Sequence, residues 1–227
     1  RHAVVGDAQL ALRALINEYK AQNGGASKDT GRVNEVRVAK AEFDAKFRPF
    51  MESDEKPINP YRVIGDLIKV LDPKNSFVTA DSGNTRDQLS TVYEAQIPRG
   101  HLGWGNVSTL GFSLAGAIGA KLAFPERQSV CITGDAGMCY MIGDFEATAR
   151  HKLGLTVIHI NNGGYSGYGP GFWGKGHDPY TWKVSDSDSI CTANMAKALG
   201  LYGERITEPA EGIPALKRAL QANAKGQ

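Results

Sequence analysis

Apolar residues along this chain fall into short β-branched runs and longer helical stripes, and their alternation predicts the fold. Ser76–Ala80 (SFVTA), residues 129–133 (SVCIT) and residues 156–160 (TVIHI) have the pattern of strands buried on both faces. Val63, Ile64, Leu67, Ile68 and Leu71 form a helical stripe. Asn59 and Pro60 start it well, because Asn accepts from first-turn amides and Pro fits the first helical position. Near the N-terminus, Val4-Val5-Gly6-Asp7 reads as the end of a strand, followed by a helix carrying Leu10, Leu12, Leu15 and Ile16. Val36, Phe43, Phe47 and Phe50 mark one face of another helix. In the apolar segment 110–124, Gly111, Ala115 and Gly119 recur four apart, so that helix is expected to approach a neighbour closely along them. A last helix covers about residues 214–222. Strands alternating with helices predict a doubly wound, mainly parallel α/β sheet with helices on both faces.

Composition narrows the class. With 227 residues and 41% hydrophobic content the chain can bury one full core. Its 22% charged residues and net charge of +2 give no polyanion-binding signature, so nucleic acid is not an expected partner. Cys131, Cys139 and Cys191 are odd in number and lack CxxC spacing, which predicts reduced, buried thiols. The longest apolar stretch is interrupted by Lys121 and is too short to cross a bilayer, and no signal peptide is visible. A cytoplasmic location without membrane contact is the expectation.

The candidate chemistry sits where a strand run ends. Gly134-Asp135-Ala136 follows the run at 129–133, and Asn161-Asn162 follows the run at 156–160, with Asp135 and Asn162 27 residues apart. A strand, a helix of residues up to about 150 and a second strand form a crossover, which brings Asp135 and Asn162 to one carboxyl edge, where open α/β sheets bind ligands. A carboxylate, an amide oxygen and the Gly163-Gly164 backbone are hard oxygen ligands suited to Mg²⁺. Backbone amides at Ala136 and Gly137, unshielded by bulky side chains, suit a diphosphate. The competing reading is an ordinary βα turn, with Asp135 capping a helix and the paired Asn forming a turn.

These residues resemble the motif of thiamin diphosphate-dependent enzymes, GDG or GDA and then NN about two dozen residues later. The form is that of the acetolactate synthase, pyruvate oxidase and oxalyl-CoA decarboxylase group. The segment from Ser108 to Ala120 (STLGFSLAGAIGA) is similar to the group's G-T-M-G-x-G-L-x-x-A-I-G-A, and Ala80-Asp81-Ser82-Gly83-Asn84-Thr85 to its E/D-x-G-x-N/H loop. The resemblance implies thiamin diphosphate and Mg²⁺ as cofactors, with Asp135, the Asn162 side chain and the Gly164 carbonyl as metal ligands. It implies Gly83, Asn84, Ser108, Leu110, Gly134, Asp135, Ala136, Gly137, Asn162, Gly164 and Tyr165 as cofactor-binding positions. Leu110 falls where the family places the apolar wedge that bends the cofactor and makes deprotonation of the thiazolium carbon intramolecular; its other reading is helix core. Ser108 falls where a carbonyl receives the pyrimidine amino group.

The same resemblance implies carbon-carbon bond making or breaking on a small 2-oxo acid, as in acetolactate synthases, or on an acyl-CoA, as in 2-hydroxyacyl-CoA lyase or oxalyl-CoA decarboxylase. Residues 1–22 resemble the tail of a preceding domain, 23–58 (opening with NGGASKDTG) a linker and connecting helix, and 59–227 the cofactor-binding domain, truncated at its C-terminus. The glutamate that activates the cofactor ring belongs in this family to another domain across a dimer interface, so a partner domain or chain and a homo-oligomer are expected. The isolated chain is then inactive, and a noncatalytic cofactor-binding subunit or fragment is the alternative.

Residues 163–174 form a glycine-rich aromatic segment in which Tyr165, Tyr168, Phe172 and Trp173 are read as a substrate lid or as a surface loop. Among the histidines, His159 reads as a satisfied core residue, His2 and His151 as surface positions, and His101 and His177 as loop residues near the cleft that could carry protons.

Overall fold

The computed structural model describes residues 3–24, 30–164 and 191–226. The chain divides into two compact units, Arg1–Lys46 and Phe47–Gln227. In the first unit, α1 (Ala8–Gln22) starts at Asp7, whose carboxylate accepts the Leu10 amide at 3.0 Å. No α1 side chain is buried, and Leu10, Leu12, Leu15 and Ile16 are all more than half exposed. Residues 3–7 are not in a strand, contrary to the sequence expectation, and Val5 is 99% exposed. A strand needs a neighbour for its amides and carbonyls, and alternation of side chains does not supply one. α2 (Thr30–Met51) opens inside the stretch read as linker.

In the second unit, β1 (Ser76–Ala80), β2 (His101–Leu102), β3 (Gln128–Thr133) and β4 (Thr156–His159) form a sheet in the order β2-β1-β3-β4. All pairings are parallel, with Ala80 opposite Ile132 and Thr133 opposite His159. Alternating side chains build a core on each face. Val78, Ala80, Val130 and Ile132 pack with Ile64 and Leu67 of α3 (Pro60–Val70), Leu89 of α4 (Asn84–Val92) and Leu216 of α9 (Gly212–Asn223). Cys131 belongs to the other core, with Leu114 and Ala117 of α5 (Phe112–Ala123), Met138 of α6 (Asp135–Met141), Phe145 of α7 (Phe145–Arg150) and Ala196 of α8 (Thr192–Ala198). The sheet is thus wound on both faces, as the alternation of strands and helices predicts.

Several local expectations change. The α3 stripe buries Ile64, Leu67 and Leu71 but leaves Ile68 36% exposed. Asp66 is buried instead, because Arg62 Nε donates to it at 3.0 Å while the same guanidinium bonds the carbonyls of Ser53 and Pro209. Of the Gly111, Ala115, Gly119 row, Gly111 alone makes the close approach, against Met141. Ala115 is exposed and a Cβ at Gly119 would meet nothing within 4 Å, whereas one at Gly116 would lie 3.4 Å from Thr79 Cγ2. The buried face of α5 is set by Ser113, Leu114, Ala117 and Ala120. The helix expected through Arg150 breaks at a 3₁₀ turn, Ile142–Asp144, where Gly143 weakens helical continuity.

Candidate functional site at the carboxyl edge of the sheet

β1, β3 and β4 all end at one edge, and their next residues build the site. Asp81, directly after β1, is 1% exposed. Its Oδ1 accepts the Ser82 amide at 2.9 Å and the Gly111 amide at 2.8 Å, and its Oδ2 accepts the Thr133 hydroxyl at 2.9 Å. One carboxylate therefore fastens the β1 loop, the turn into α5 and the end of β3. Gly111 sits at φ 87°, and a Cβ there would lie 2.9 Å from Met141 Sδ, so glycine is required on both counts. Gly137 lacks a side chain for a similar reason. Its Cβ would fall 1.7 Å from Asp81 Oδ2, so its smallness serves the packing of Asp81 rather than access for a ligand alone.

Asp135 opens α6 after the extended Gly134 and is 2% exposed. Its Oδ2 accepts the amides of Asn162 and Gly163 at 2.9 and 3.0 Å, which brings the two halves of the sequence motif together across the β3–β4 crossover. Half of the competing reading forms: α6 has no side-chain cap, but Asn161 Oδ1 accepts the Gly163 amide at 3.1 Å in a turn. The Met138 amide closes the first helical bond onto the Gly134 carbonyl at 2.9 Å, so the amides of residues 135–137 precede the helical ladder. His159, read from sequence as core, faces the site instead, with Nε2 3.2 Å from Asp135 Oδ1 and Nδ1 3.0 Å from Thr192 Oγ1.

The remaining predicted residues line the same edge. Gly83 is exposed at φ 92°, and a Cβ there would meet nothing within 4 Å; Asn84 is the exposed first residue of α4. A Cβ on Gly134 would meet only Thr85 Cγ2, at 3.8 Å. Ser108 holds the uncommon φ of 57° and its hydroxyl lies 2.6 Å from that of Ser82. Leu110 is half-buried in the turn before α5, outside both cores, so the helix-core alternative does not hold. Asn162 is exposed, and Gly163 and Gly164 are buried against the sheet end. Tyr165, Tyr168, Phe172, Trp173 and His177 lie outside the described residues.

These groups fit a Mg²⁺-bridged diphosphate. Among the described residues no three His, Cys, Asp or Glu side chains gather as a metal site, so an ion at Asp135 would be held by one carboxylate together with amide, carbonyl and ligand oxygens. The open backbone at Gly83 and Gly134 leaves room beside it. A separate cavity of about 550 Å³ runs along β4, lined by Phe145, Leu155, Leu216, His159 and Thr192, and His159, Asn161 and Thr192 border both it and the site.

Other sequence readings shift. His101 is in β2 opposite Val78, not in a loop, and burial lowers its pKa. β2 escaped the sequence reading because two residues carry no periodicity. Cys131 is buried, with its thiol pushed up to about 12 by burial, but Cys139 is exposed, contrary to expectation, because it lies on the outer side of α6. No helix among the described residues is long and apolar enough to cross a membrane.

Residues 81–226 match the family model of the thiamine pyrophosphate enzyme C-terminal cofactor-binding domain, thiamine pyrophosphate being thiamin diphosphate. A probable acetolactate synthase large subunit of Methanococcus aeolicus is 27% identical over 97% of this chain and 38% of its own length. A 2-hydroxyacyl-CoA lyase of Arabidopsis thaliana is 29% identical over 72% of this chain and 29% of its own. The acetolactate synthase large subunit IlvG of Mycobacterium tuberculosis is 28% identical over 95% of this chain and 38% of its own. The chain spans less than two-fifths of the length of these relatives. With the family's motif residues assembled at one sheet edge and the match extending from Asp81 to Gly226, the chain belongs to the thiamine pyrophosphate enzymes and carries their C-terminal cofactor-binding domain.

Proposed function

We propose that this domain holds thiamin diphosphate through Mg²⁺ and serves an enzyme that makes or breaks carbon-carbon bonds next to a carbonyl, on small 2-oxo acids in the manner of acetolactate synthase. The observation that carries the reading is the Asp135 carboxylate, buried at the end of β3 and joined to the amides of Asn162 and Gly163. Asp135, the Asn162 side-chain oxygen and the Gly164 carbonyl would hold the ion. The amides of Ala136 and Gly137, the open backbone at Gly83 and the exposed Asn84 would receive the diphosphate. When bound, the cofactor supplies the electron sink that the protein's own side chains lack.

What this chain contributes is position and exclusion of water. Asp81 fastens Gly111 and with it the turn bearing Ser108 and Leu110, so the Ser108 carbonyl would orient the pyrimidine and Leu110 would support the bend between the rings. Burial of Asp135 strengthens its attraction for a cation by removing competing water. The ring-activating glutamate would come from a partner domain or chain in a homo-oligomer.

A 2-hydroxyacyl-CoA lyase or oxalyl-CoA decarboxylase activity is the second reading, favoured by the Arabidopsis relative's name and by the resemblance of Gly83-Asn84-Thr85 to the same loop in those enzymes. A noncatalytic cofactor-binding subunit is the third. The test is product formation from pyruvate and from a 2-hydroxyacyl-CoA by the complete protein, with thiamin diphosphate and Mg²⁺, for wild type and Asp135→Asn. Acetolactate formed only by wild type supports the first reading, thioester cleavage the second, and turnover of neither substrate by the cofactor-loaded protein the third. Equal turnover by Asp135→Asn would remove that carboxylate from the function.

A further inference from the structure

We infer that His159 is a positioning residue for the Asp135 carboxylate, holding it in the orientation that a divalent cation requires. The inference rests on the metal assignment above. Neither the motif nor the composition of β4 points to it, since His159 sits in an apolar run between Ile158 and Ile160.

The geometry assigns the roles of both ring nitrogens. Nε2 lies 3.2 Å from Asp135 Oδ1, and an ionised carboxylate only accepts, so Nε2 carries the proton and donates it. Nδ1 lies 3.0 Å from the Thr192 hydroxyl, which donates to it in the neutral ring. The carboxylate thus fixes the tautomer, His159 presents an N–H to it, and the Thr192 hydroxyl holds the other side of the ring. The His159 side chain is 10% exposed and that of Asp135 is fully enclosed, so water does not readily replace the bond.

Two sets of donors then hold the carboxylate from different directions. The amides of Asn162 and Gly163 take Oδ2, and the imidazole of β4 takes Oδ1. A carboxylate clamped at both oxygens cannot rotate about its terminal torsion, and its plane is set before the cation arrives. Partners of this kind, standing behind a metal ligand, change metal affinity by about 10–100-fold when removed. They do so without touching the ion or the substrate. The arrangement also connects the start of α8 to the metal site through Thr192.

The experiment is Mn²⁺ binding to the full chain in the presence of thiamin diphosphate, followed by the electron paramagnetic resonance signal of free Mn²⁺. His159→Gln keeps an N–H donor on an unbranched side chain, whereas His159→Met has similar length and no donor. The expected result is Mn²⁺ affinity lowered about 10–100-fold in His159→Met and largely restored in His159→Gln. Equal affinity in the two variants would overturn the proposal. Asp135→Ala is the control for the underlying reading: if it binds Mn²⁺ as tightly as wild type, the metal assignment itself fails. Loss in Asp135→Ala with no loss in His159→Met fails the His159 proposal alone. A measurement on the wild-type chain guards against a variant that does not fold. Nitrogen-15 NMR of the imidazole should show the Nε2–H tautomer, and the Nδ1–H tautomer would contradict the relay.

Discussion

A buried carboxylate persists only where donors replace its water, and Asp81 and Asp135 meet that need differently. Asp81 is satisfied by two loop amides and the hydroxyl at the end of β3, whereas Asp135 is satisfied by the loop and the histidine that surround the proposed ion. His101 shows the opposite case, a titratable ring whose burial lowers its pKa. Since its folded pKa lies below the unfolded value of about 6.5, the unfolded chain takes up the proton first as pH falls. His101 therefore costs nothing well above that pH, and its penalty grows through the window just below it, down to the folded pKa. His101→Gln should accordingly lose less melting temperature than wild type between pH 7.5 and 5.5; parallel losses would contradict the assignment. Of these residues, sequence reading found Asp135 because its spacing to Asn162 is a motif. It read His159 as a satisfied core residue: the ring nitrogens are both paired, but polarity in an apolar strand does not say that one partner is Asp135.

At the scale of elements, β1, β3, β4 and most helices were legible because burial on both faces leaves an unbroken apolar run, and helices leave a stripe, whereas the two residues of β2 leave neither. Close approach was not, since it depends on which face of a helix meets which neighbour. The glycines of the cofactor edge illustrate this. Gly137 reads as space for a ligand, yet a methyl group there would collide with Asp81 Oδ2 at 1.7 Å and Thr133 Oγ1 at 2.5 Å. Gly119 reads as a packing contact, yet its surroundings are open. Gly137→Ala should therefore destabilise the domain by about 3 kcal/mol, through overpacking against a buried charge. Gly119→Ala should stabilise it by about 0.5–1 kcal/mol, through the higher helix propensity of alanine. Urea midpoints at unchanged m-value measure both, and a reversed order would show that the helix faces are misassigned.

Across the whole molecule, a parallel sheet with a core on each face delivers three strand ends to one edge, and the family's motifs are what those ends carry. Apolar residues on a helix do not say what covers them: Leu10, Leu12, Leu15 and Ile16 of α1 are all more than half exposed. In the proposed metal bridge the ion joins Asp135 to a diphosphate that the carboxylate would otherwise repel. Titration calorimetry of thiamin diphosphate into wild type and Asp135→Ala, each with Mg²⁺ and with EDTA, tests this directly. Wild type should bind with Mg²⁺ and lose binding both on chelation and on removal of the carboxylate. Equal affinity with Mg²⁺ and with EDTA would contradict the metal bridge.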